Sequence, residues 1–203
     1  MNEKIRQEIE ELDWNNSDSV ISFYESNRLY FDNYNFQKNT DSIYEIAEIK
    51  ISYILSLDHK KHFTKANKCL QDVNILINKI KNSENSEEIN ERYLFAAGVI
   101  ANRLDKVEES QDCFTELIKI DPDNDLYQDW FEGNKDYLFA KKTRLIGHIG
   151  LGIFIIAMFS DLVFGIDNNI RLRIELVSFI IMILGYYGYS IKRFLRKHKM
   201  INK

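Results

Sequence analysis

The sequence predicts an all-α chain, a helical head followed by two helices able to cross a membrane. Three observations predict it. Two apolar stretches, 145–166 and 174–191, carry no polar face at helical period. One proline and eight glycines in 203 residues leave little punctuation for a β protein. Before position 140, apolar residues recur at three- and four-residue spacing, the period of a half-buried helix.

The elements follow in order. A helix over 3–13 carries Ile5, Ile9 and Leu12 on one stripe, and one over 17–34 opens after a polar run at 15–17 and presents Val20, Phe23, Tyr24 and Tyr30. Polar residues at 37–41 separate these from a helix over 41–57 with Ile43, Ile46, Ile49, Tyr53 and Leu57 inward. Breaks at 58–61, 82–87 and 121–124 then delimit helices over 62–81, 88–103, 106–120 and 124–141, with Ser86, Asn90 and the 121–124 run suited to helix starts. The last of these, with Leu126, Trp130, Tyr137 and Leu138, is placed to cover the end of the stack. At about 1.5 Å per residue, each C-terminal stretch can cross a hydrocarbon core of roughly 30 Å, the second barely. This divides the chain into a head, 1–142, and an anchor, 143–203.

Charge follows the same division. Residues 1–140 hold 16 Lys+Arg against 28 Asp+Glu, a net of −12, and residues 141–203 hold 11 against 3, a net of +8, which together give the −4 of the whole chain. An acidic head argues against nucleic acid as a partner, because counterion release needs clustered Lys and Arg. The basic residues flank the spans: Lys141, Lys142 and Arg144 before the first, and Lys192, Arg193, Arg196, Lys197, Lys199 and Lys203 after the second. The turn between the spans has only Arg171 and Arg173. Positive residues stay on the cytoplasmic side, so both termini are expected there and the turn outside. The first residues have no apolar core, so no secretory signal is expected, and Cys69 and Cys113 are expected as free thiols in a reducing compartment.

The segment 91–122 carries a more specific pattern. Leu94, the Ala97-Gly98 pair, Ser110, Phe114, Leu117 and Pro122 stand where two helices would cross closely, fill their seam and stop. Upstream, Ala66, Cys69, Leu70 and Val73 match Ser110, Cys113, Phe114 and Leu117 at a period of 44, and residues 1–36 could supply a third hairpin. This pattern resembles a tetratricopeptide repeat, a helix–turn–helix unit of about 34 residues. The resemblance implies a superhelix of antiparallel hairpins with Leu94, Gly98, Ser110, Phe114, Leu117 and Pro122 as packing residues. It also implies a groove faced by Arg92, Phe95, Val99, Asn102 and Arg103. Chaperone-binding members of that family grip a carboxylate there with Lys, Asn and Arg. Phe95 and Val99 occupy two of those positions, so a partner would be held mainly by apolar contacts, unless these residues pack against the neighbouring hairpin.

Chemistry-bearing constellations are sparse. His59 and His62 form an His-x-x-His pair without a third ligand at metal spacing, which a solvated turn explains. The cysteines sit at equivalent positions on successive helices, as small packing residues do. No phosphate loop, nucleophile elbow or carboxylate pair is present in the sequence, so neither a cofactor nor an enzymatic activity is expected. In the spans, Gly147, Gly150 and Gly152 would meet Gly185 and Gly188 in an antiparallel hairpin, which also offers a surface for homo-oligomers. Tyr186, Tyr187 and Tyr189 suit the interfacial belt. Asp161 is the one acid inside the first span, a functional candidate by type, although it can reach water or Arg171.

The expectation is therefore an adaptor or scaffold that holds a protein partner at a membrane surface. The Asn-, Lys- and Ile-rich composition favours a bacterial inner membrane. Two other readings remain: a membrane-active effector or channel-like assembly whose hairpins oligomerise, with Asp161, Glu175 and His148 as its polar residues, and an accessory subunit of a transporter or secretion complex.

Overall fold

The computed structural model describes residues 3–33, 40–80, 86–164 and 167–201, and among these it contains helices and no strand. The helices are α1 (Glu3–Glu10), α2 (Ser17–Ser26), α3 (Arg28–Asp32), α4 (Thr40–His59), α5 (Phe63–Ile80), α6 (Ser86–Arg103), α7 (Val107–Ile120), α8 (Asp125–Phe164) and α9 (Asn168–Ile201). They form two compact units, Met1–Asn134 and Lys135–Lys203. The expected boundary at 142/143 lies inside α8, because no breaker interrupts the sequence there and the expected last head helix and first span are one element.

In the first unit, α2 begins where Asn16 accepts from the Asp18 and Ser19 amides, and so satisfies two donors of its first turn. The single helix expected over 17–34 is broken at Asn27. Its side-chain amide donates to the Phe23 carbonyl at 3.1 Å and to Glu8 at 3.0 Å, an alternative to regular helix that Asn offers and an alkyl residue does not. Further along, α4 packs on α5 and α6 on α7, while α4 and α5 both touch α6 and α2 lies on α4.

The two hairpins close with the same turn, 44 residues apart. Lys61 (φ 63°) and Asp105 (φ 60°) are left-handed, and the next amide in each case, His62 or Lys106, donates back to Leu57 or Ala101 at 2.8 and 2.9 Å. That is the left-handed helix ending usually given to Gly or Asn, here built with Lys and Asp. The matched seam residues are buried in both hairpins: Ala66, Leu70 and Val73 in one, Ser110, Phe114 and Leu117 in the other. A Cβ on Gly98 would lie 2.8 Å from the Phe114 ring, so this crossing needs glycine. Leu94 is half-buried beside Phe114, and Pro122 is exposed just past the end of α7. One core gathers α1 to α6 around Phe31, Ile46, Ile54 and Val73, and a second gathers Val99, Phe114, Leu117 and Tyr127.

The second unit is an antiparallel pair, residues 135–164 of α8 against α9. A Cβ on Gly147 would lie 3.2 Å from Gly185, one on Gly150 would lie 2.7 Å from the Met182 amide, and one on Gly185 would strike the Gly147 backbone. Three of the expected glycines thus make the crossing. Gly188 only approaches Thr143, and Gly152 has nothing within 4 Å. Phe154 meets Phe179 further along at 6.1 Å between ring centres. Asp167 starts α9 by accepting from the Asn169 and Ile170 amides. Both helices are long and apolar enough to cross a membrane, and only 22% and 11% of their most apolar windows are buried, unlike the core helix of a soluble domain. Ile149, Ile156, Phe159, Leu176, Val177 and Leu184 are all exposed.

Candidate functional site

The residues expected to face a groove do not share an open surface. Val99 is 4% exposed and belongs to the core with Phe114, Leu117 and Tyr127. Phe95 lies against the Phe114 and Tyr127 rings at 6.1 and 6.0 Å. Arg92 pairs with Glu48 of α4, and Arg103 pairs with Asp58 at 3.1 Å. Val99 and Phe95 therefore pack against neighbouring side chains, the alternative the sequence left open for them, while Arg92 and Arg103 stay at the surface in ion pairs. The first turns of α8 lie against this side of α6, where Tyr127 packs with buried Val99 and half-buried Phe95.

What remains open lies one step over, between α6 and the start of α8. Asn102, Leu126, Asp129, Trp130, Gly133 and Asn134 line a shallow groove of about 250 Å³. Its floor is Trp130, stacked on Phe114 at 5.4 Å with an interplanar angle of 3°. The Arg103 guanidinium lies 5.8 Å from the centre of the same indole, at cation–π distance. Buried Asn134 fixes the helix: its amide nitrogen donates to Ser110 Oγ at 2.7 Å, and its oxygen accepts from Asn102 at 2.7 Å. Ser110 is thus both the small residue of the crossing and an acceptor. Gly133 sits in mid-helix where a Cβ would meet no atom within 4 Å, although glycine there costs roughly 0.5–1 kcal/mol relative to alanine. Asn102 is the one expected groove residue that lines this surface. Trp130 carried a sequence signal as an aromatic on the covering helix, whereas Asn134 and Gly133 carried none, being single polar or small residues inside a helical pattern.

A second concavity, about 280 Å³, opens between α2–α3 and α4–α5 and is lined by Tyr24, Arg28, Asp32, Tyr53, Lys65, Lys68, Cys69 and Asp72. Tyr24 and Tyr53 stack at 4.0 Å, and their hydroxyls donate to Asp32 and Glu25. Lys50 is buried and meets Asp32 at 3.0 Å. Burial, then the neighbouring charges and acceptors, raises both phenols far above the ordinary tyrosine range. For Asp32, desolvation pushes upward but is outweighed by hydrogen bonds from Lys50 and Arg28 and by their charges, so its carboxyl lies below the usual range. Glu25 is lowered in the same way, by Lys65 and Tyr53 against its own desolvation. Burial pushes the Cys69 thiol up to about 12, so at neutral pH it is an unreactive thiol. Burial carries the upward shifts of Tyr24, Tyr53 and Cys69, while the pairs Lys50–Asp32 and Lys65–Glu25, which join α2–α3 to α4–α5, carry much of the downward shifts.

The remaining sequence candidates fall as follows. His59 meets Ser17 at 3.1 Å, and among the described residues no cluster of His, Cys, Asp or Glu could hold a metal. Both cysteines are free. In the second unit, the Tyr186 hydroxyl and His148 Nδ1 are 2.7 Å apart, and Arg171 pairs with Glu175 at 3.5 Å. The side chain of Asp161 lies outside the described residues. Comparison with protein-family models, curated proteins and solved structures gave no match to this chain.

Proposed function

We propose that the chain is a membrane-anchored adaptor, whose hairpin of α8 and α9 crosses a bilayer and whose head, a short array resembling tetratricopeptide repeats, holds a protein partner on the cytoplasmic side. The anchor rests on one observation, the large apolar side chains exposed along both helices of the second unit. In water each is unfavourable by about 1.5–3 kcal/mol relative to burial, and lipid removes that cost while the helices satisfy their own backbone groups. The orientation is supported by the Lys and Arg excess at 141–144 and 192–203. The Asn-, Lys- and Ile-rich composition favours a bacterial inner membrane. The repeat reading is supported by the turns and seam residues that recur at a period of 44.

Binding of a protein is supported by the open, partly apolar groove left between α6 and α8. A photo-crosslinking residue at exposed positions of the full chain, in the membranes where it is made, tests this. Discrete protein adducts from head positions are expected. Adducts confined to hairpin positions, with ion leakage from liposomes carrying the chain, would overturn the adaptor in favour of a membrane-active assembly.

A further inference from the structure

The groove between α6 and the first turns of α8 has the chemistry of a specific occupant. Between Lys119 and Lys135 the chain carries Asp121, Asp123, Asp125, Asp129 and Glu132 and no Lys or Arg. Asp123, Asp125 and Asp129 are exposed, and none of the three is ion-paired among the described residues. They contrast with Asp32 and Asp58, which have cations beside them. Asp129 lines the groove, and Asp125 stands one turn before it on α8; the groove's exposed surface is mainly apolar, with Trp130 as its floor and exposed Leu126 on its wall. Gly133 removes a side chain where the floor would otherwise be covered. No packing within the head requires that glycine, because a Cβ there would meet nothing within 4 Å. A mid-helix glycine with nothing against it suits close approach by another backbone.

We propose that this groove docks a basic amphipathic helix of a partner protein. An aliphatic or aromatic side chain of that helix lies on Trp130 against Gly133, and its Lys or Arg residues meet Asp129 at the groove and Asp125 one turn before it. Burying one apolar face in a groove with complementary charge at the rim is an established mode of helix recognition, in which the charges set orientation and encounter rate. The inference rests on the adaptor reading and names the partner class.

The test uses the full chain in discs of zwitterionic lipid, with Trp14→Phe so that Trp130 alone reports. The probe is a synthetic helical peptide of Leu and Lys, compared with its Leu and Glu counterpart and with a peptide of residues 192–203, the chain's own basic tail. The Leu/Lys peptide is expected to bind and shift Trp130 emission to shorter wavelength, and the Leu/Glu peptide to do neither. Gly133→Leu, which fills empty space, is expected to weaken binding at least tenfold without changing the helical spectrum. Asp129→Lys, at an exposed position, should do the same, while Asp112→Lys on α7 leaves affinity unchanged. Equal binding by all variants would reduce the interaction to general charge attraction and overturn the proposal. Tighter binding of the 192–203 peptide would also overturn it, by assigning the groove to a second copy. Head-dependent crosslinks that persist after either failure keep the adaptor and remove only this occupant, whereas loss of all such crosslinks removes the adaptor itself.

Discussion

At position 99 a valine sits where a repeat array would present its binding face, and its surroundings decide its role. Val99 is enclosed by Phe114, Leu117 and Tyr127. Val99→Glu is therefore expected to unfold the head, with a cost of about 3 kcal/mol or more, because an unpaired charge enters a packed core. Thermal denaturation of the full chain in detergent measures it, and a stable Val99→Glu head would restore the residue to an open surface. Asp32 offers a second test, through pH. Its carboxyl is lowered in the folded state, so the stability it contributes is complete above the ordinary carboxylate pKa of about 3.9 and is lost as pH falls through the lower folded value. Asp32→Asn should cost about 1–3 kcal/mol at neutral pH, by weakening the bond to buried Lys50, and should flatten the loss of stability below about pH 4. An acid limb parallel to that of the wild type would contradict the role of the pair. The seam residues Gly98, Ser110, Phe114 and Leu117 were legible in sequence because close crossing demands small and large residues at fixed spacing. Asn134 was not legible, since a polar residue on a helix is normally solvent-facing and only the fold brings Ser110 and Asn102 to it.

Among the elements, the hairpins were readable wherever a polar run interrupted an apolar stripe. The break at Asn27 escaped because neither Gly nor Pro marks it, and the signal is a pair of side-chain hydrogen bonds. The left-handed endings at Lys61 and Asp105 escaped because neither Gly nor Asn, the usual residues there, marks them, and the closing bonds are made by backbone amides. The join of the last head helix to the first span escaped because residues 135–144 are compatible with helix throughout. The glycines of the α8–α9 hairpin were predicted as a group, and the structure separates them. Gly185→Val should drive α9 from α8, since its side chain would meet the Gly147 backbone, while Gly152→Val should leave the pair intact. Disulfide formation between cysteines placed at His148 and Tyr186 in membranes reads the difference. Loss of the bond in both variants, or in neither, would contradict this packing.

On the scale of the whole molecule, an acidic helical head and a basic hairpin of two long apolar helices were legible from charge and hydropathy, because a run of some twenty apolar residues without a polar face is read directly from sequence. The position of the open groove was not, because the start of α8 fills the place the repeat pattern leaves vacant. The central claim is that 143–203 crosses the membrane twice and holds the head on the cytoplasmic face. It is tested most directly by a single cysteine at Asn168, in a chain with Cys69 and Cys113 replaced by serine, exposed to a membrane-impermeant maleimide in intact cells. The account predicts labelling at Asn168 from outside and protection of a cysteine placed at Lys4 until the membrane is opened. Labelling at Lys4 in intact cells, or at Asn168 only after the membrane is broken, would contradict it.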